Sequence, residues 1–273
     1  MPEASDQTLS PEFHQGTSPL LISVPHAGTG IPGGLSARLT PPARVLPDTD
    51  WFVERLYAFA LDHGASMLIA RSSRLVVDLN RPKDDQPLYD ASQTQLMTGV
   101  LPKQCFSGEA VYLPGQEPDV VEASERVRLY WQPYHDQLAA CLHNLNRVHG
   151  HAVLLDAHSI RGEVPLLFDG VLPDLNLGSN GGVSAAPSLL QTAKEALTCD
   201  SYSLVVDGRF KGGYITRNYG KPASGFHALQ LEISQRTYMQ EQPPAWQDGL
   251  ARGLQARLEQ LVAALTHWRS GHA

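Results

Sequence analysis

The chain has 273 residues, 42% of them hydrophobic and 18% charged, with 28 Asp and Glu against 21 Lys and Arg and a formal net charge of −7. That length and apolar fraction are enough for one well-filled domain over residues 1–273, and an acidic chain without a basic block suits neither nucleic acid nor an anionic membrane surface. Cys105, Cys141 and Cys199 form no C-x-x-C pair, so free thiols in a reducing compartment are expected rather than disulfides or a thiolate metal site. Residues 1–18 read as a poorly ordered polar arm without the apolar centre of a signal peptide. No apolar run is long enough to span a bilayer, so a soluble, cytoplasmic protein is expected.

Residues 20–24 form a buried apolar strand that stops at Pro25-His26-Ala27-Gly28. The stretch from Gly28 to Gly33 matches G-x-G-x-x-G, and Asp48 follows at about the distance of a ribose-binding acid. Pro32, Pro41, Pro42 and Pro47 leave no room for the helix that would face a pyrophosphate, so nucleotide binding is set aside and the glycines are taken to let the backbone wrap closely round a site. Asp48-Thr49-Asp50 precedes residues 51–63, where Phe52, Leu56, Phe59 and Ala60 recur at helical spacing; Thr49 or Asp50 is then a natural N-cap. Residues 66–70 and 74–79 read as strands, the second closing on Asn80-Arg81-Pro82. The long excursion 82–115 reads as a wall or lid.

Residues 122–148 carry a helical apolar stripe through Trp131, Tyr134, Leu138 and Leu142, bent or split by Pro133, with His135, His143, His149 and His151 solvated. A strand at 152–157 closes on Asp156-Ala157-His158-Ser159. A short apolar segment at 165–168, a Gly/Asn turn at 176–182, a helix capped by Ser188 and a strand at 203–206 follow. Residues 208–220 mix three cations with glycines and tyrosines and read as a mobile anion-binding loop. Residues 227–234 alternate as a strand with Gln230 and Glu232 on one side, and 250–268 form an amphipathic closing helix.

Alternating strands and helices predict an α/β sandwich around a mixed, mainly parallel sheet. Two histidines and a carboxylate brought from separate strand ends, with a fourth position left for water, are the ligand set of a catalytic zinc site. A glutamate nearby that is not a ligand serves as general base, and Glu232 is the candidate. The plainer alternative for Glu232 is a carboxylate on the wet face of an edge strand.

Taken together, Pro25-His26-Ala27-Gly28, Asp48-Thr49-Asp50-Trp51, Asp78-Leu79-Asn80-Arg81-Pro82, Asp156-Ala157-His158-Ser159, the run from Phe210 to Arg217, and Ala228-Leu229-Gln230-Leu231-Glu232 resemble the N-formylglutamate amidohydrolases. The resemblance implies a three-layer, zinc-peptidase-like sandwich related to the zinc carboxypeptidases and aspartoacylases. It also implies one zinc, or another divalent cation, per chain on His26, His158 and Asp50, with Asp48 as the fallback because Thr29 stands where those relatives have the Glu of His-x-x-Glu. Asn80 and Arg81 would grip one substrate carboxylate, and Arg217 and Lys211 the other. The implied reaction is hydrolysis of N-formyl-L-glutamate, a small molecule, to formate and L-glutamate in histidine degradation. A hydrolase of another N-acyl amino acid, or a non-catalytic binder of acidic amino acids, are the competing readings.

Overall fold

A computed structural model describes residues 9–86 and 99–271. In chain order the strands are β1 (Glu12–His14), β2 (Leu20–Val24), β3 (Ser66–Ile69), β4 (Ala152–Ile160), β5 (Leu175–Gly178), β6 (Leu204–Val206), β7 (Phe226–Ser234), and the short pair β8 (Met239–Gln240) and β9 (Ala245–Trp246). The helices are α1 (Leu35–Arg38), α2 (Pro41–Arg44), α3 (Val53–Leu56), α4 (Val120–Arg126), α5 (Gln132–His149), α6 (Pro187–Leu197), α7 (Tyr214–Tyr219) and α8 (Asp248–His267). The main sheet has seven strands in the order β1-β3-β2-β4-β7-β5-β6. Strands β3, β2, β4 and β7 run parallel, β5 turns antiparallel to β7, and β1 pairs antiparallel with β3. The expected mixed, mainly parallel sheet is what forms, and β1 draws residues 12–14 of the expected arm into it.

Period-two alternation decides which core each strand residue joins. On one face Leu20, Ile22, Val24, Val153, Leu155, Leu229, Leu231 and Ile233 pack against α3, α6 and α8. On the other, Leu21, Leu154 and Ala228 pack against α5 through Tyr134, Leu138 and Leu142. Two steps further along that second face come Ser23, Asp156 and Gln230, and then His158 and Glu232 on β4 and β7. A face that is apolar at one end thus becomes ionisable at the carboxyl end of the same strands.

Several local expectations give way. Residues 74–79 form a buried turn, not a strand: Val76 N bonds Ser73 O, Asp78 N reaches Val100 O, and Leu75, Val76, Val77 and Leu79 fill the second core. A short buried apolar run carries the same signature in either state. Residues 51–63 break at Tyr57 into α3 and a 3-10 turn at Ala58–Leu61, and Phe52, at the N-cap position, takes a left-handed conformation with φ 63°. Neither Thr49 nor Asp50 therefore caps a helix. Helix α6 starts from Ala186 rather than Ser188, with Pro187 in its first turn. Within 208–220, residues 214–219 are helical as α7, and β7 lies between β4 and β5, so Glu232 is on no sheet edge. The glycines after His26 pack against the backbone at 70–72 and not round a site: a Cβ on Gly28 would stand 2.3 Å from Ser72 O. Part of the 82–115 excursion, residues 87–98, lies outside the described residues. Among the described residues no helix is long and apolar enough to cross a membrane.

Pro133 splits its helix by way of a π turn at Val127–Trp131, which absorbs the amide that proline cannot donate. His135 is buried, not solvated. It stands four residues after Trp131 and three before Leu138, and so lies on the apolar stripe. Its Nε2–H donates to Leu79 O at 2.9 Å, leaving Nδ1 to accept the Tyr219 hydroxyl at 2.9 Å. His151 is likewise buried, against the Trp268 ring, while His143 stays exposed as expected. Burial pushes the His135 pKa down to about 4, below its ordinary 6.5. As pH falls through that window the unfolded chain takes up the proton first, so stability present above pH 6.5 is lost towards pH 4, with a ceiling on the order of 3 kcal/mol. Urea midpoints measured from pH 7 to pH 4.5 should fall less steeply for His135→Gln than for wild type; equal slopes would remove His135 as a source of acid lability.

Candidate active site

Three segments bring their polar side chains together where β2 and β4 end. His26 stands two residues past β2, behind Val24 and Pro25. His158 is near the end of β4, opposite Glu232 in the register of β7. Asp50 comes from the loop after α2, whose backbone is tied down by Asp50 N donating to His26 O at 3.1 Å. All four side chains are buried.

The orientation of the two imidazoles is set from behind. His26 Nε2 lies 2.8 Å from Asp78 Oδ1 and His158 Nε2 lies 3.0 Å from Asp156 Oδ2. A carboxylate can only accept, so each pair fixes Nε2 as a protonated nitrogen and turns Nδ1 inward. Both Nδ1 atoms face Asp50 Oδ2, at 3.7 Å from His26 and 2.9 Å from His158. One ligand-type atom from each of His26, Asp50 and His158 lies within 4.8 Å of the others, close enough to share one cation. Two imidazole nitrogens and a carboxylate, each imidazole backed by an acid, fit a catalytic zinc-type centre.

Charge balance among these groups is supplied by Arg74, whose side chain is 8% exposed. Its Nη2 donates to Asp78 Oδ2 at 2.8 Å, its Nη1 lies 3.8 Å from Asp50 Oδ1 and donates to Asp48 O at 3.3 Å, and its guanidinium stacks on the Phe106 ring at 4.7 Å. Burial opposes ionisation of Asp78 and Asp50, but Arg74 and His26 hold Asp78 well below the usual carboxylate range, and His158 and His26 bring Asp50 down as well. The two histidines shift oppositely. Burial, helped by Arg74, lowers His26, whereas for His158 Asp156 and Asp50 more than reverse the effect of burial and raise it. Glu232 is pushed up to about 8 by burial, against the pull of His158.

The anion-binding candidates lie round this cluster in different ways. Asn80 Oδ1 accepts Ile215 N at 2.8 Å, and its Nδ2 lies 3.3 Å from Asp156 Oδ2 and 3.0 Å from His158 Nε2. Its amide oxygen is thereby taken by the backbone of α7, and its nitrogen leans on Asp156. Arg81 is half-buried; its Nη1 donates to Asn80 O and its own carbonyl accepts Trp131 Nε1. Arg217, also half-buried, donates from Nε to Gly212 O at 2.8 Å, and Lys211 is exposed. Asp48 falls outside the metal-type group and accepts Phe106 N at 2.8 Å, which removes it as the alternative to Asp50.

Sequence reasoning gave no role to Asp78, Asp156 or Arg74. Asp156 carried a usable signal, since an acid two residues before His158 on a strand shares its face. Asp78 and Arg74 carried none, because the turn that brings them to His26 was read as a strand.

A seven-stranded mixed sheet under helices, with a buried two-histidine, one-carboxylate group at the ends of its parallel strands, defines an α/β sandwich protein with a cation-type centre. The family model for N-formylglutamate amidohydrolase matches residues 18–239, and the chain belongs to that family. It is 46% identical to the N-formylglutamate deformylase of Pseudomonas putida and 46% identical to that of Pseudomonas aeruginosa, in each case over 96% of this chain and 97% of the relative. The fold is shared with the crystal structure of N-formylglutamate amidohydrolase from Ralstonia eutropha JMP134, at a TM-score of 0.83 and 24% identity over 94% of this chain and 97% of that one.

The geometry separates ligands from the groups that orient them. His26→Ala and His158→Ala should each abolish stoichiometric zinc binding in a chelator-competition titration. Asp78→Asn should keep the stoichiometry but weaken affinity roughly 10- to 100-fold, and Asp48→Asn should leave affinity unchanged. Full zinc retention in His26→Ala, checked beside its thermal melt, would overturn the ligand set.

Proposed function

We propose that the protein hydrolyses the formyl amide of N-formyl-L-glutamate to formate and L-glutamate, the closing step of histidine degradation, at a zinc centre held by His26, Asp50 and His158. The observation that carries this reading is the pair of inward-facing Nδ1 atoms converging on Asp50, each imidazole braced by its own acid. Family membership and the names of the Pseudomonas relatives support the substrate. A non-catalytic binder of acidic amino acids would have no use for such a cluster.

Held by His26, Asp50 and His158, a zinc ion would supply Lewis acidity to polarise the formyl carbonyl and make water a usable nucleophile near neutral pH. Glu232 accepts the proton that the attacking water gives up and delivers it to the amide nitrogen as the C–N bond breaks, so that glutamate leaves as an amine. Its buried carboxyl, pushed up to about 8 by burial, is suited to holding a proton between those two events. The strand ladder places Glu232 beside His158 but on the next strand, near the centre without belonging to the ligand set. The substrate carries two carboxylates, which call for two cationic anchors. Arg81 takes one through its planar fork, and Arg217, with Lys211 at the open rim, takes the other. Asn80 serves from behind, linking Asp156 to the backbone of α7.

Zinc content of the purified protein, measured beside formate release from N-formyl-L-glutamate and from N-acetyl- and N-succinyl-glutamate, tests the reading. Comparable turnover of the longer acyl groups would move the assignment to another N-acyl amino acid hydrolase. Glu232→Gln should retain zinc and melt near wild type while kcat falls by roughly 10²- to 10⁴-fold or more; lost zinc would make it a ligand, and near-normal kcat a bystander. Arg81→Lys keeps the charge but loses the fork, so kcat/KM should drop far more for N-formyl-L-glutamate than for a formylated amino acid amide in which the gripped carboxylate is missing. Equal losses on the two substrates would rule out carboxylate recognition by Arg81.

A further inference from the structure

Gln230 stands two residues before Glu232 on β7, so the two side chains leave the sheet on the same face. It is 4% exposed. Its Nε2 donates to Glu232 Oε2 at 3.2 Å, and its Oε1 accepts Gly213 N at 2.8 Å. Position 213 must be glycine for this approach, because a Cβ there would stand 2.4 Å from Asn80 Nδ2. Two residues on, Ile215 N donates to Asn80 Oδ1, and Asn80 Nδ2 in turn donates to Asp156 Oδ2 at 3.3 Å. The segment carrying Arg217 is therefore pinned at two amides, one through Gln230 beside Glu232 and the other through Asn80 beside Asp156.

Position 230 needs a donor for a carboxylate and an acceptor for a backbone N–H at once, which only a side-chain amide of this length provides there. Leucine offers neither, and glutamate offers the acceptor alone. We infer that Gln230 is a positioning residue that holds the Glu232 carboxylate and the Arg217-bearing segment in one frame, so that the reacting end and the anchored end of the substrate keep a fixed spacing. The inference rests on Glu232 acting as the acid–base group and on Arg217 as an anchor.

The test is a double-mutant cycle on N-formyl-L-glutamate, with zinc content and thermal melts recorded for every variant. Gln230→Leu should lower kcat roughly 10- to 100-fold, the worth of a hydrogen bond to a charged group expressed as a rate, and raise KM several-fold. Gln230→Glu, which keeps the acceptor for Gly213 N and is the variant to rely on if the leucine fails to fold, should lower kcat with little change in KM. In a Glu232→Gln background either change should cost kcat almost nothing further, while the KM effect of the leucine persists. The same kcat factor in both backgrounds, or a KM that the leucine does not move, overturns the inference with the acid–base reading left standing. A near-normal kcat in Glu232→Gln alone overturns both, and is recognisable because that single variant reports it.

Discussion

The molecule is organised around the cost of keeping charge away from water. Asp78 and Asp156 are fully buried, and Asp50, Glu232, His26, His158 and Arg74 nearly so. Each ionised group withdrawn from solvent costs several kcal/mol unless it is paired and hydrogen-bonded. That requirement leaves little freedom in the geometry. Asp78 answers both His26 and Arg74, Asp156 answers His158 and accepts Ser23 Oγ at 3.1 Å, and Arg74 lies between Asp78 and Asp50. Satisfying the outer nitrogens and oxygens in this way is what leaves the two Nδ1 atoms and one Asp50 oxygen facing a common point. The same pairing that makes burial tolerable arranges a group that could hold a cation.

The sheet provides the ruler for this arrangement. Neighbouring strands stand about 4.8 Å apart, so Ser23 beside Asp156 and His158 beside Glu232, both register partners, are held one strand apart. That separation keeps Glu232 beside His158 but outside the group formed by His26, Asp50 and His158. Because Leu21, Leu154 and Ala228 occupy the same face nearer the strand starts, the strands are anchored by apolar packing against α5 while their far ends carry the chemistry. Rigid packing and reactive groups share one face of one sheet.

Much of this was legible in the sequence, for reasons that can be named. Runs such as Leu20 to Val24 and Val153 to Leu155 announce buried parallel strands, and a histidine at the end of such a run has no apolar explanation. Glu232 was legible as well, since alternation along β7 puts it on the side of Gln230 and Ala228. The turn at 74–79 was not, because Leu75, Val76, Val77 and Leu79 look alike in a strand and in a buried turn, and with that reading the links of Asp78 and Arg74 to His26 were lost. The start of the 51–63 segment misled through a single left-handed residue, Phe52, for which aromatic side chains give no warning. His135 was legible and overlooked: its spacing to Trp131 and Leu138 already placed it on the buried stripe.

Topology supplies the part that no local pattern contains. From β2 the chain moves to one side of the sheet to form β3, then returns to the other side of β2 to form β4. In an open sheet with parallel strands, connections that leave in opposite directions from two adjacent strands open a crevice beyond their carboxyl ends, and ligands settle there. His26 follows the carboxyl end of β2 and His158 belongs to that of β4, so the two imidazoles face each other across the point where the strand order reverses. Loop residues from either side then complete the centre, Asp50 from the segment before α3 and Asp78 from the turn after β3. The position of the site thus follows from strand order, and its chemistry from which strands happen to end in histidine.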